Sequence, residues 1–246
     1  MSKKLITACM SLVAFAALAL PAMALAGPPT IGETDAGNVF TPLSVPNNVT
    51  ATNVGNAKFF VGTEVISECS KVVITGDLLK NNDTEGIEAT ITTATFEGTG
   101  AVANGMKECT GAPVIGSLTP TTNGGGVDGE NVAGGTPWCI KNVAGKDEFT
   151  VRGGACPEKA RAINFILDTT SAGQCTYTRA AAITGTFVTD KTGSEDAVLT
   201  VNPTAAGSEF TKSAGGVLCP AKGSLEMAFT LETDSPTVTP LYIKES

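Results

Sequence analysis

The chain has 246 residues, of which 24 are acidic and 16 are basic, and it contains 7 cysteines and no histidine. Its net charge of −8 makes nucleic acid and anionic lipid surfaces poor electrostatic partners. The lack of histidine excludes a Ser-His-Asp or Cys-His catalytic centre and removes the commonest side-chain ligand of metal ions.

Residues 1–26 have the three parts of a secretory signal peptide. Lys3 and Lys4 form a basic start, an apolar stretch follows, and an Ala-Leu-Ala sequence ending at Ala26 suits cleavage. We therefore predict export to the periplasm, the cell surface or the medium. Removal of this leader takes away two lysines and no acid, which lowers the net charge to −10. No second apolar run is long enough to span a bilayer, so no membrane span is expected.

Residues 27–56 are rich in proline, glycine and asparagine, with a few apolar residues isolated among turn formers. This composition predicts an extended N-terminal arm that precedes a β domain at residues 57–246. Such an arm is suited to adding a strand to the exposed sheet edge of a neighbouring molecule.

From Ala57 onward, apolar residues recur at every second position, which is typical of β-strands. The clearest case is residues 225–232, where Leu225, Met227, Phe229 and Leu231 share one face. In the stretch at residues 87–96 the parity switches at Thr92-Thr93, which predicts a bulge or a bend. No window outside the leader has a helical period. The sequence therefore predicts an all-β fold: a single antiparallel β-sandwich, Ig-like or jelly-roll-like, or a barrel with disulfides.

The longest turn-rich stretch is the glycine-rich segment at residues 119–136. It is predicted to be a surface loop of the β domain, with a linker between two domains as the alternative. The loop is favoured because Cys109 and Cys139 lie on either side of it and would pinch its base.

Six cysteines follow the predicted leader, and their even number in an exported chain indicates disulfides. Structural zinc needs closely spaced cysteine pairs, which this sequence lacks, so neither a metal nor a cofactor is expected. Six cysteines allow 15 pairings, and sequence does not choose among them. Neighbourhood along the chain suggests Cys156–Cys175 and Cys109–Cys139. The remaining bridge, Cys69–Cys219, would then tie the first core strand to the last.

Without histidine or a free thiol, only carboxylates remain to carry catalysis. A glycoside hydrolase needs two of them about 5–9 Å apart. The candidates are Glu226, Glu232, Asp168 and Asp147. All occupy alternating or turn positions where exposed charge is the simpler interpretation, so we predict no catalytic residue and no enzyme activity.

Trp138 is the only tryptophan of the chain and directly precedes Cys139. A tryptophan beside a disulfide usually packs in the core. The alternative is that its ring forms a platform for a ligand.

The β pattern carries three further features over roughly residues 57–245. They are a cysteine opening a threonine-rich strand (Cys69-Ser70-Lys71-Val72, continued by Ala89 to Gly98), a Pro137-Trp138 pair opening a strand, and Cys219 followed by a strand at Leu225–Leu231. In these features the chain resembles a loose group of small secreted bacterial β-rich proteins, some of them described as activators of alkane oxidation. Cys139 and the glycine-rich loop depart from that group. The resemblance implies a secreted, non-enzymatic β protein and transfers no catalytic residue.

Together these observations predict a secreted structural or interaction protein that self-associates or binds another surface protein. A first alternative is an extracellular binder of small apolar or amphiphilic ligands, held in the mouth of a barrel and linked to hydrocarbon use. A second and less favoured alternative is a carboxylate-dependent glycoside hydrolase.

Overall fold

The structure is a computed structural model of the chain. It describes residues 27–35, 39–100, 102–103, 106–107, 109–111, 118–121, 136–157, 161–169, 173–188, 196–202, 208–233 and 240–244. The predicted signal peptide lies outside these residues, and so does the glycine-rich loop beyond its first three residues and its last.

The described part of the chain forms 20 β-strands and no helix. The first ten are β1 Thr30–Thr34, β2 Phe40–Pro42, β3 Asn47–Asn53, β4 Ala57–Val61, β5 Glu64–Cys69, β6 Lys71–Asn82, β7 Gly86–Glu97, β8 Val102–Ala103, β9 Met106–Lys107 and β10 Thr110–Gly111. The others are β11 Leu118–Thr121, β12 Trp138–Asn142, β13 Glu148–Gly153, β14 Ile163–Thr169, β15 Gly173–Arg179, β16 Ile183–Phe187, β17 Val198–Val201, β18 Glu209–Ala214, β19 Lys222–Thr233 and β20 Tyr242–Lys244.

Eight of these strands close into an antiparallel barrel in the order β3-β6-β7-β12-β13-β16-β17-β19. The ring is completed by β19 pairing with β3, from Phe229 opposite Asn53 to Thr233 opposite Val49. Closure removes the free edges that an open sheet would expose. The all-β prediction is confirmed, in its barrel form and with a second sheet added.

The second sheet has the order β11-β14-β15-β18-β19-β4-β5-β10 and is also antiparallel. It shares β19 with the barrel: residues 222–226 pair with β18 and β4, and residues 227–233 pair with β17 and β3. An aromatic cluster fills its core, with ring centroids 5.0–6.4 Å apart. The cluster consists of Phe59, Phe96, Phe165, Tyr177 and Phe210. The strands β8 and β9 form a separate two-stranded ribbon.

The prediction of an extended N-terminal arm at residues 27–56 is wrong for most of that segment. Within it, β3 is a wall strand of the barrel, hydrogen-bonded to β6 on one side and β19 on the other. The strands β1 and β2 join β20 in a three-stranded sheet with the order β2-β1-β20, which we call the cap. The strand β3 was missed because most of its residues are polar and only two small apolar ones, Val49 and Ala51, face the barrel interior.

The two local predictions about strand faces are confirmed. Leu225, Phe229 and Leu231 are buried along β19. In β7 the pairing with β6 jumps from Gly76 opposite Ile91 to Thr75 opposite Thr93. Thr92 is therefore the extra residue of a bulge. The bulge lets β7 keep apolar residues facing inward on both sides of it.

The predicted disulfide pairings, Cys69–Cys219, Cys109–Cys139 and Cys156–Cys175, are all wrong. The bridges are Cys69–Cys109, Cys139–Cys156 and Cys175–Cys219, with Cα separations of 4.5, 4.9 and 5.6 Å. Each joins neighbouring segments of a sheet: β10 pairs with β5, β12 with β13, and β15 with β18. The prediction followed distance along the chain, whereas strand order in the sheets decides which cysteines meet.

Candidate functional site

The barrel encloses a cavity of about 140 Å³ lined by side chains from all eight of its strands. Because successive strand residues point to opposite faces, each strand contributes alternate residues to the interior. The lining is almost wholly aliphatic and aromatic, for example Leu78, Ile87, Phe149 and Phe229. Eight-stranded barrels have room either for packed side chains or for one small ligand. This barrel combines the two, since its side chains pack around a central cavity.

The partial exposure of inward-facing residues locates the unfilled space. Seven apolar residues line the cavity and are only half-buried, although they belong to the barrel wall. They are Val49, Ala51, Ile74, Ala89, Ile140, Leu199 and Met227. In a core packed to ordinary density, inward side chains of this kind would have little accessible surface. Two of them are alanines, so small side chains leave part of the space.

Trp138 lies in the lining at the start of β12 and is 7 % exposed. It stands opposite Ile91 of β7 and Gly153 of β13. The neighbouring Cys139 points to the other side of β12, where it bridges to Cys156. The indole therefore faces the cavity. The alternative role suggested from the sequence, a platform for a ligand, requires this orientation.

Asn142 occupies the third inward position of β12, after Trp138 and Ile140. Its Oδ1 accepts a hydrogen bond of 2.9 Å from the backbone N–H of Ile87. Gly86 makes room for the amide, because a Cβ at that position would lie 2.7 Å from Asn142 Nδ2. Gly86 also has a φ of 78°, which disfavours other residues there.

The cap closes one end of the cavity. Ile31 of β1 and Ile243 of β20 belong to no barrel strand and still line the cavity, so they reach it through an open end of the barrel. The buried side chain of Asn81, on β6, fastens the cap. It accepts a hydrogen bond from Ile31 N at 2.7 Å and donates to Ile31 O at 2.6 Å and Leu43 O at 2.9 Å.

Two of the four carboxylates considered for glycoside hydrolysis lie on β19, and this strand does not bring them together. Glu226 and Glu232 are six residues apart on one strand, which separates them by roughly 20 Å, more than twice the spacing that the chemistry needs. Glu226 lies 3.7 Å from Lys58 Nζ in a partly exposed ion pair. In the described residues no group of three or more histidine, cysteine or acidic side chains could hold a metal ion.

The sequence missed Asn81 and Asn142. The alternating pattern of β12 could have pointed to Asn142. The inward positions of residues 138–142 are Trp138, Ile140 and Asn142, and the last of these is polar where an apolar residue is expected. For Asn81 no comparable signal exists, because its three hydrogen-bond partners lie 38 to 50 residues away.

Across the described residues, no helix combines the length and the hydrophobicity that crossing a bilayer requires. Comparison of the chain with protein-family models, with curated proteins and with solved structures finds no match.

Proposed function

We propose that this protein binds one small apolar molecule inside its barrel. The observation that supports this function is the cavity of about 140 Å³ with an apolar lining. An engineered cavity of about 150 Å³ lined by Leu, Ile and Phe in another protein stays dry and takes up benzene or xenon. The size and lining of this cavity therefore favour an uncharged ligand of about six carbon atoms over a large lipid or a charged metabolite.

Binding of a small apolar ligand in the cavity can be measured directly, and this measurement tests the proposed function. Trp138 is the only tryptophan and faces the cavity, so its fluorescence emission reports occupancy. Titration of the purified protein with cyclohexane should change this emission along a saturable one-site curve. The variant Ala89→Leu adds a larger side chain to the lining and should abolish the change. Its free energy of unfolding should not fall, since filling a cavity adds contacts.

The matched control is Ala221→Leu, which adds the same atoms at an exposed position outside the barrel lining. It should bind cyclohexane as the wild type does. If the wild type gives no saturable response, or if Ala89→Leu binds as tightly as the control, the cavity is not a ligand site.

Export is part of the proposal. The three disulfides fit an extracellular location, since such bonds persist in oxidising compartments. The leader predicted at residues 1–26 would be cleaved near Ala26, and the acidic mature chain would not engage nucleic acid. Intact mass of the protein from its own producing cells should correspond to a chain that starts at Gly27. A mass that retains the leader would contradict export.

Self-association is a second candidate, and the turn between β18 and β19 favours it. Val217 and Leu218 are 98 % and 65 % exposed at its tip. The turn is held in place by the bridge from Cys219 to Cys175 and by Lys212 Nζ, which donates to Gly216 O and Cys219 O. A rigid apolar tip is suited to docking against a second copy of the chain.

Light scattering over a range of concentrations tests this candidate. The wild type should form a dimer, and the double variant Val217→Ser/Leu218→Ser should remain a monomer. An identical mass for both proteins at every concentration would exclude this tip as a self-association site.

A further inference from the structure

Apart from the indole N–H of Trp138, the described lining of the cavity contains polar side-chain atoms at one residue, Asn142. Among the described residues that line it, Asn142 alone carries a side-chain amide, and none carries a hydroxyl, a carboxylate or a cationic group. Asn142 lies at an inward position of β12, where the alternation of apolar and polar residues predicts an apolar side chain. A polar side chain at such a position costs stability unless its donors and acceptors find partners.

The orientation of this amide is set by its neighbours. The backbone N–H of Ile87 donates to Asn142 Oδ1 at 2.9 Å, and the missing Cβ of Gly86 leaves space for the group. The oxygen accepts this bond with one of its lone pairs, and the two N–H groups of Nδ2 are the donors that the amide can offer to another partner. No partner for Nδ2 is found among the described residues.

We propose that Asn142 determines the ligand's chemistry by donating a hydrogen bond from Nδ2 to an oxygen acceptor. The inference rests on the proposed binding function. The ligand is then an uncharged small amphiphile with an apolar body of about six carbons and one carbonyl or ether oxygen. A carboxylate ligand is disfavoured because no lysine or arginine among the described residues lines the cavity to balance its charge.

A pair of ligands that differ by one oxygen tests this inference. Dissociation constants of cyclohexane and cyclohexanone are measured by headspace gas chromatography over solutions of the purified protein. The quantity of interest is the ratio of the two constants within each protein, because it cancels the different hydration of the two ligands. Two variants remove the donor: Asn142→Leu, and Asn142→Asp, which keeps an oxygen for the N–H of Ile87. The control variant is Asn56→Leu, at an exposed position outside the lining.

A hydrogen bond of ordinary net strength corresponds to a change of about threefold to tenfold in affinity. Both Asn142 variants should therefore lose cyclohexanone relative to cyclohexane by about that factor, while Asn56→Leu keeps the wild-type ratio. Retained binding of cyclohexane shows that a variant is folded. An unchanged ratio in both Asn142 variants, with cyclohexane still bound, overturns the role of Asn142 alone. Absence of binding of both ligands to the wild type overturns the binding function itself.

Discussion

Tyr177 is fully buried in the core of the second sheet, with its ring 5.0 Å from that of Phe59. Its hydroxyl has no hydrogen-bond partner among the described residues. Burial favours the neutral phenol over the phenolate and raises the pKa of Tyr177 to about 12. The aromatic core therefore contains a group that tolerates burial only while it is protonated.

This pKa predicts a loss of stability at high pH. The unfolded chain releases the phenolic proton near pH 10, whereas the folded chain keeps it up to about pH 12. Between these values the free energy of unfolding should fall with pH, by at most about 1.4 kcal/mol per pH unit from this group. Urea unfolding from pH 8 to 11 should give a shallower decline for Tyr177→Phe than for the wild type.

The same variant should be at least as stable as the wild type at pH 8, because it removes a buried hydroxyl that lacks a partner. Parallel pH curves for the two proteins would show that Tyr177 does not titrate in this range. A variant less stable at pH 8 by more than 1 kcal/mol, on the order of a lost hydrogen bond, would indicate a partner for the hydroxyl.

Strands whose apolar residues alternate strongly could be predicted from the sequence. The face of β19 and the bulge in β7 followed from residue parity alone, since a side-chain period of two is a local property. The strand β3 did not, because its sequence, NNVTATN, reads as a polar turn-rich segment. Its place between β6 and β19 depends on barrel closure, which is a long-range event. The size and the lining of the cavity were equally beyond prediction, because they depend on how eight inward faces fit together.

The cap is attached to the barrel by backbone hydrogen bonds at Leu241, next to β20, and by the side chain of Asn81. Asn81 makes three hydrogen bonds to it, and its replacement by leucine leaves Ile31 N and Leu43 O without these partners. Each unsatisfied buried group costs about 1–3 kcal/mol. We therefore expect Asn81→Leu to loosen the cap locally before it affects the barrel.

Hydrogen exchange followed by mass spectrometry measures this effect. Amides of residues 30–34 should exchange at least tenfold faster in Asn81→Leu, whereas those of β12 and β13 should exchange at the wild-type rate. The exposed Asn56, which donates to Glu68 Oε1, provides the control variant Asn56→Leu. Uniformly faster exchange throughout the barrel would mean that Asn81 supports the whole fold and not the cap in particular.

For the whole molecule, the long strands connect the barrel to the second sheet. β19 belongs to both, and β7 carries Ile87 and Ile91 in the barrel lining and Phe96 in the aromatic cluster. Two packed regions that share continuous strands cannot separate without breaking backbone pairing in both. The sequence predicted one β domain but gave no basis for this coupling, since it follows from which strand pairs with which.

This coupling predicts a single cooperative unfolding transition. The bridge Cys175–Cys219 lies in the second sheet and spans 44 residues, so its removal should destabilise the protein by up to about 4 kcal/mol in the chain-entropy model. Guanidinium unfolding of Cys175→Ala/Cys219→Ala is followed by Trp138 emission, which reports the barrel, and by far-UV circular dichroism, which reports both sheets. Both midpoints should shift together to lower denaturant. If the Trp138 midpoint keeps its wild-type value while the dichroism curve splits, the barrel folds independently of the second sheet.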